Sequence, residues 1–417
     1  MNKKVAIIGA GVSGIILARE LLQKNIDITI FEETPYYGGQ WNYNPASECI
    51  DIRNKQSVLS SAMYDCMRTN FPITMMQMPG LDYPDGTPTF PSHRKVFSYI
   101  KSYVAKFGLE QYIKYNQEVI NINKKTSGWT ITTKEDAFGD FSYVAICTGK
   151  ERFPYIPKLT GMETFSGIIA HSNSYRTADI FKDKNVVVLG ASYSGQEIST
   201  DISNTAKNVY FCGKFTQHNY SCPKKNVSYG KYNNIKQYPC IDSILATSIK
   251  LKNGETPNQV DAIVLCTGYH YSFPFLQGIT ADIQTSGNYV GPLYLDIFYP
   301  KDPSLMFIGL LKGASHFYVA SLQAAYCAEV ISSEASLPDY ETMLSAIHKH
   351  SKSLKNSGLG KGQFFNYKSR QYAYHQLLCN LANIKYNGGI HHLRTAFAAH
   401  KKRYQDNYRD QPFVPDA

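Results

Sequence analysis

None of the nine cysteines stands in a C-x-x-C pair, and no spacing among them suggests a zinc site or a disulfide framework. An odd count with no paired spacing points to a reducing cytosol. No apolar run reaches the length of a membrane span. The opening MNKKVAIIGAGVSGIILA has two lysines before an apolar stretch, but no small-residue cleavage site follows, so it does not read as a secretory signal. A cytoplasmic location is expected. Tryptophan is scarce, at 2 residues against 32 tyrosines, and charged residues make up 18% of the chain. Neither departs from a folded protein, and 417 residues suffice for two domains with sizeable cores. Acidic residues are few at the C-terminal end. From Ser351 to Ala417 there are 11 Lys and Arg against 3 Asp and Glu, which accounts for most of the +10 net charge. A solvated basic helical face explains this better than nucleic-acid or anionic-membrane contact.

Hydrophobic periodicity organises the rest. Val5–Gly9 reads as a buried strand, Val12–Gln23 as a helix and Ile28–Phe31 as a second strand, a βαβ unit. FPSHRKVFSYIKSYVAKFG (90–108) is a helix with Ser92 as N-cap and a terminating Gly108. Strands are expected at Glu118–Ile122, Trp129–Thr132 and Tyr143–Cys147. The pattern restarts with a strand at Val186–Gly190, a helix at Ser194–Ser203, and strands at Asn208–Cys212 and Asp261–Cys266. Strand Leu305–Gly309 and helix Ala320–Ser332 are expected to return to the first unit. The fold class is therefore α/β with two Rossmann-like dinucleotide-binding domains, the second inserted into the first. The expected bounds are 1–155 for the first part, 156–285 for the insertion, 286–340 for the return and 341–417 for a basic, aromatic, helical extension.

Two glycine-rich turns carry the chemistry. The first, GAGVSG, places Gly9 at the strand-to-helix turn, Gly11 where a pyrophosphate approaches the backbone, and Gly14 where helix meets sheet; Ser13 lies between them. Glu32, closing the second strand, is placed to take a ribose hydroxyl and to repel a 2′-phosphate, so this turn suits FAD or NAD. The second, GASYSG, keeps Gly190 and Gly195 but has Ser192 in the middle. Its second strand runs into CGKFT (212–216), where Lys214 can pair with a 2′-phosphate, so NADPH is the expected ligand; a plain surface lysine is the alternative. Two such sites imply electron transfer from a nicotinamide to a flavin. With no dithiol to receive the electrons, oxygen or an external acceptor is the expected destination.

The stretch FSGIIAHSNSY (165–175) has the form F-x-G-x-x-x-H-x-x-x-Y/F. With GGQWNY (38–43), MYDCMRTNFP (63–72), CTG (147–149) and CTGYHYSFPF (266–275), in this order, the chain resembles the flavin-containing monooxygenases over roughly residues 4–335. It looks most similar to the short soluble bacterial members that oxidise small amines such as trimethylamine. The resemblance implies that NADPH reduces FAD, that NADP+ stays bound, and that oxygen adds to the flavin as a C4a-hydroperoxide, which oxygenates an amine nitrogen or sulfide sulfur. No protein nucleophile or metal is then required, and the protein's task is to exclude water and hydrogen-bond the reactive species.

The resemblance also implies roles for single residues. Asn70 matches the active-site asparagine, a neutral amide that donates and accepts without supplying a proton. Gln40, Trp41, Val119, Thr148, Gly149 and Gln323 are expected at FAD; Tyr64, Tyr193, Ser194 and Gly268 are expected to join Ser192 at NADP. In the signature, Phe165 and Tyr175 are expected to pack, Gly167 to permit a close turn, and His171 to orient the inter-domain joint rather than transfer a proton. Lys214 stands where the family often has Arg, which offers a bidentate fork that Lys lacks. Baeyer–Villiger monooxygenases acting on ketones are the nearest rival, although their signature ends in Trp where this chain has Tyr175-Arg176. A reading from a different class is a non-catalytic redox-sensing flavoprotein with a partner-binding basic tail. The tail itself is expected to pack across a homodimer or over the active-site entrance. His391, His392 and His400 have no carboxylate or Cys companions and are expected to be exposed or capping.

Overall fold

The computed structural model describes residues 3–46, 51–54, 61–214, 233–257, 259–277 and 283–415. Its first unit runs β1 (Lys4–Ile8), α1 (Val12–Gln23), β2 (Asp27–Phe31), α2 (His93–Lys106), β3 (Ile113–Lys114) and β4 (Tyr143–Ile146). The second runs β5 (Ile168–His171), β6 (Asn185–Leu189), α3 (Tyr193–Ile202), β7 (Asn208–Cys212), β8 (Ile235–Tyr238) and β9 (Ala262–Leu265). Then come β10 (Leu305–Phe307) and α4 (His316–Ser332), followed by α5 (Tyr340–Asn356), α6 (Gln371–Leu381) and α7 (Gly389–Tyr404).

The first sheet has the order β10-β4-β1-β2-β3, and the second β8-β7-β6-β9-β5, with every pairing parallel. Such strands are covered on both faces, so they read as unbroken apolar runs; VVVL in β6 and AIVL in β9 are buried throughout. β10 joins the first sheet at β4, with Phe307 opposite Ile146, as the sequence pattern anticipates. A two-stranded antiparallel ribbon, Phe153–Pro154 against Tyr269–His270, lies where the chain passes from one unit to the other. A three-stranded antiparallel sheet (Val119–Lys125, Gly128–Thr133, Ala137–Phe141) packs beside the first sheet.

Helix bounds differ modestly from expectation. α4 starts at His316, four residues early, because Phe317 and Val319 are buried and extend its apolar contact. α3 begins at Tyr193 with Ser192 as N-cap. α1 and α4 pack on each other, and Ala320, Ala324 and Ala328 on α4 are buried at that core.

Candidate functional site

In each sheet the strand order reverses at one place, between β1 and β4 and between β6 and β9, and a crevice opens at the carboxyl ends of those strands. Both glycine turns lie there and are built alike. Gly9 has φ +103°, and a Cβ on it would lie 2.8 Å from the Cys147 carbonyl oxygen; Gly190 has φ +126° and would meet the Cys266 oxygen at 2.2 Å. One turn later, a Cβ on Gly14 would meet the Gly9 oxygen at 2.1 Å, and one on Gly195 would meet the Gly190 oxygen at 1.7 Å. These four glycines serve close backbone packing.

Gly11 differs. Its backbone is extended (φ −77°, ψ −178°), and a Cβ there would meet nothing nearer than the Gly39 Cα at 3.7 Å. Neither backbone strain nor protein contact requires glycine, so the space in front of it fits a ligand in close approach. Gly11 is also the N-cap of α1, and no acidic residue lies in that helix's first turn. Its free N–H groups and positive dipole end therefore suit a pyrophosphate. Glu32, buried at the end of β2, accepts from the Ala10 N–H (2.9 Å), the Thr34 N–H (3.0 Å) and the Thr34 hydroxyl (2.8 Å). These bonds fix its carboxylate at the cavity wall.

A single cavity of about 1120 Å³ receives both turns, larger than one drug-sized ligand needs. Gly9, Gly11, Ser13, Glu32, Gln40 and Trp41 line it on the first side, and Val119, Thr148 and Gly149 continue that wall. From the second turn come Ser192 and Tyr193, and Asn70 faces the same space. Ser194 and Lys214 are exposed and stand off the wall. A Cβ on Gly213 would lie 2.9 Å from that of Ala191, so Lys214 follows directly on a residue packed against the second turn. Phe215 and Thr216 lie outside the described residues. Gly268 has φ +83° with open space about it and is also off the wall.

Two expected contacts go elsewhere. Gln323 is fully buried one layer behind the cavity: its Oε1 accepts from the Gly309 N–H (2.9 Å) and its Nε2 donates to the Tyr374 hydroxyl (2.9 Å). It braces the segment before α4 rather than reaching the wall. Tyr64 is buried, lies edge-on to Tyr175, and donates its hydroxyl to Glu197 on α3.

The segment carrying Asn70 is irregular and held from outside. The Thr69 N–H donates to the Pro91 carbonyl (2.9 Å), and the Thr69 carbonyl accepts from Arg409 Nε (2.9 Å). Arg409 also pairs with Glu197, which takes the Tyr64 hydroxyl as well. The extension, the Asn70 segment and α3 thus meet at one ion pair. Sequence reasoning missed this, because no motif links residues over 200 positions apart.

The FSGIIAHSNSY stretch resolves into packing roles. Phe165 and Tyr175 are buried, and the Tyr175 hydroxyl donates to Asp201. A Cβ on Gly167 would come within 2.3 Å of the Asp261 carbonyl oxygen. His171 Nδ1 accepts from the Asn173 N–H (3.2 Å), so Nε2 carries the hydrogen and donates to the Gly268 carbonyl (3.1 Å). Burial pulls its pKa down to about 4, leaving it neutral. Arg176, next in sequence, is also fully buried and donates to the carbonyls of Asn44, Ser61 and Asn173.

Beyond residue 340 the chain closes over the cavity. Asn366, Lys368, Tyr372 and, from α7, Arg394, Thr395 and Ala398 line it. His391 and His392 are exposed, with His391 stacked on Tyr372, but His400 is not: it is buried and bonded through Nε2 to the Tyr408 carbonyl (2.7 Å). Its burial follows from α7 turning that face onto Phe90 and Phe413. Among the described residues no group of three His, Cys, Asp or Glu could hold a metal, and no helix is long and apolar enough to cross a membrane. A second feature that carried no sequence signal is Lys150 Nζ, 3.1 Å from His316 Nδ1 on the cavity wall; burial lowers the pKa of both.

Comparison with known proteins agrees with this architecture. The family model described as flavin-binding monooxygenase-like matches residues 2–221 and 224–387. Flavin-containing monooxygenase FMO GS-OX5 of Arabidopsis thaliana is 34% identical over 359 residues, 82% of this chain and 76% of that protein. The structure of S-allyl-L-cysteine S-oxygenase from Allium sativum superposes with a TM-score of 0.90 at 29% identity, covering 99% of this chain and 95% of that one. Tmm from Pelagibacter sp. strain HTCC7211 gives 0.84 at 25% identity, covering 99% and 94%. Cyclohexanone monooxygenase from Rhodococcus sp. Phi1 shares the fold at a TM-score of 0.63 and 13% identity. With two dinucleotide-type turns opening into one cavity and the family model matching nearly the whole chain, this protein belongs to the flavin-binding monooxygenase-like family and is an FAD- and NADPH-dependent oxidoreductase.

Proposed function

We propose that this enzyme uses NADPH and O2 to oxygenate a soft nucleophile, a sulfide sulfur or an amine nitrogen. The observation that carries this reading is the one cavity lined by Gly11, Ser192 and Asn70 together. Hydride transfer requires nicotinamide and flavin in contact, and a single cavity reached from both turns allows it. FAD, when bound, supplies the two-electron chemistry that activates oxygen. The chain's own residues do the remainder. Gly11 and the N-terminus of α1 would receive the pyrophosphate, and Glu32 the ribose. Ser192 and Tyr193 would hold the second dinucleotide, with Lys214 on its 2′-phosphate.

Asn70 makes no hydrogen bond among the described residues, which leaves its amide to donate to and accept from the reacting groups. It has no proton to give away, so it would not drive loss of peroxide. Met63, Met67, Phe71, Met75 and Met76 line the same cavity with apolar side chains, which would help to exclude water. In this reading residues 1–155 and 286–340 hold FAD, 156–285 hold NADP, and 341–417 cover the entrance; the enzyme works in the cytoplasm. The S-oxygenase and Tmm relatives favour sulfides and amines over ketones. The test is product analysis with NADPH and O2 across dialkyl sulfides, trimethylamine and cyclohexanone. Sulfoxide or N-oxide formed in proportion to NADPH is expected; ester formation alone, or NADPH consumed with no oxygenated product, would overturn the proposal.

A further inference from the structure

The acidic side chains on the cavity wall all have partners. At the first glycine turn the acids are engaged: Glu32 accepts three hydrogen bonds, Glu33 pairs with Arg152, and Glu118 pairs with Lys134. Glu151 lies close enough to Lys150 and Lys312 to interact with both. Elsewhere on the wall, α7 supplies Arg394. Its guanidinium carbon stands 5.2 Å from the centroid of the Phe71 ring, and Phe71 is Asn70's neighbour in the chain. Nη2 donates to the Gly313 carbonyl (3.1 Å), while Nη1, shielded from solvent, has no hydrogen-bond partner among the described residues. Arg394 makes no ion pair among them either, and the titratable groups that interact with it are the phenols of Tyr372 and Tyr193, the His375 imidazole and the Lys401 ammonium, none of them an anion. The pKa of each phenol is raised, Tyr372's by partial burial and Tyr193's by desolvation against the cavity wall, so both are neutral and bring no negative charge.

A guanidinium stays protonated at any working pH. Holding it away from water without a counter-charge is unfavourable, and one cation–π contact offsets part of that. An anion entering the cavity would complete the balance. The planar fork of arginine fits a carboxylate in two parallel hydrogen bonds.

Resting on the oxygenase reading above, we propose that Arg394 receives a carboxylate on the substrate, so that the preferred substrates are sulfides or amines carrying a carboxylate a few atoms from the oxygenated centre. The alternative source of an anion in the same cavity is a phosphate of NADPH, and the two are separable by kinetics.

The experiment uses 3-(methylthio)propionate and its neutral isostere 3-(methylthio)propionamide with the holoenzyme, following sulfoxide formation. In the wild type, kcat/KM for the carboxylate is expected to exceed that for the amide by at least about tenfold, as one charge-assisted pair supplies. In Arg394→Ala this ratio should collapse toward one, chiefly through KM for the carboxylate. Arg394→Lys, which keeps the charge but loses the fork, should restore part of it. Flavin content reports folding of both variants, and the wild-type ratio stands even where a variant fails to fold. Equal kcat/KM for the two probes in the wild type would overturn the inference while leaving the oxygenase intact. So would a tenfold rise in KM for NADPH in Arg394→Ala with an unchanged probe ratio. Failure to form sulfoxide from either probe, with trimethylamine and dialkyl sulfides also inert, would overturn the oxygenase reading itself.

Discussion

Gly11 and Gly14 sit three residues apart in one motif, yet the structure assigns them opposite physical roles. At Gly14, inside α1, alanine has the better helix propensity by about 1 kcal/mol. Its Cβ would nevertheless lie 2.1 Å from the Gly9 oxygen, whereas ordinary contact begins at 3.4 Å. Helix and turn must separate by more than an ångström, and overpacking of that kind costs about 1–3 kcal/mol or more. Gly14→Ala is therefore expected to lower the stability of the flavin-free protein by about 2 kcal/mol, or to prevent folding. At Gly11 the backbone is extended and the added carbon meets nothing within 3.7 Å. Alanine there should leave the flavin-free protein as stable, or more stable by about 0.4–1 kcal/mol through the unfolded chain. The same carbon occupies the space where the pyrophosphate would lie, and about 1.4–2.8 kcal/mol of lost binding corresponds to a 10–100-fold weaker FAD Kd. The assay is urea unfolding of the flavin-free proteins, paired with FAD titration by fluorescence quenching. If Gly11→Ala binds FAD normally, or unfolds at much lower urea without the flavin, the assignment of Gly11 to the ligand is wrong.

Asn70→Asp should raise the fraction of NADPH oxidised to peroxide without oxygenated product, measured as the ratio of product to NADPH consumed; unchanged coupling removes Asn70 from the chemistry. Lys214→Ala should lower kcat/KM for NADPH by about tenfold or more, as loss of one charge-assisted phosphate contact implies, and leave NADH little affected. An unaltered NADPH-to-NADH ratio would remove Lys214 from the 2′-phosphate. His171 and His375 are both buried, and desolvation pulls each pKa to about 4, below the ordinary value near 6.5. The unfolded chain then binds more protons between these values. Stability from this source is complete above about pH 6.5 and is lost as pH falls toward 4, by up to about 1.4 kcal/mol per pH unit for each histidine. His171→Asn removes one titrating group, so chemical denaturation at pH 7 and pH 5 should show a smaller acid loss than in the wild type. An equal loss would mean that His171 does not titrate across that range.

Much of the fold was legible because its signals are local. Apolar runs such as VVVL and AIVL mark strands buried on both faces, and the glycine spacing in GAGVSG and GASYSG marks Gly14 and Gly195, where an added Cβ would fall 2.1 and 1.7 Å from the carbonyl oxygens of Gly9 and Gly190. That Glu32 ends the strand beside the turn is legible for the same reason, and its carboxylate does line the cavity. Gln323 was misplaced because the sequence carries its helix but not its direction: the core side of α4 takes its amide to Gly309 and Tyr374. His400 was expected at the surface for the same reason, since the face of α7 that carries it is covered by Phe90, far off in sequence, and by Phe413, which folds back after the helix ends.

By itself, then, the sequence determined the two dinucleotide-binding units, their glycine turns, and the family signature, since each depends on residues a few positions apart whose backbone geometry is set by sterics. Tertiary structure alone decided that both turns open into one cavity, that Arg409 of the extension ties Asn70's neighbour to Glu197, and that Arg394 stands against Phe71. Those contacts join segments 200 to 340 residues apart. They exist because two parallel sheets and a C-terminal helix pack around the same space, and no periodicity within one segment encodes them.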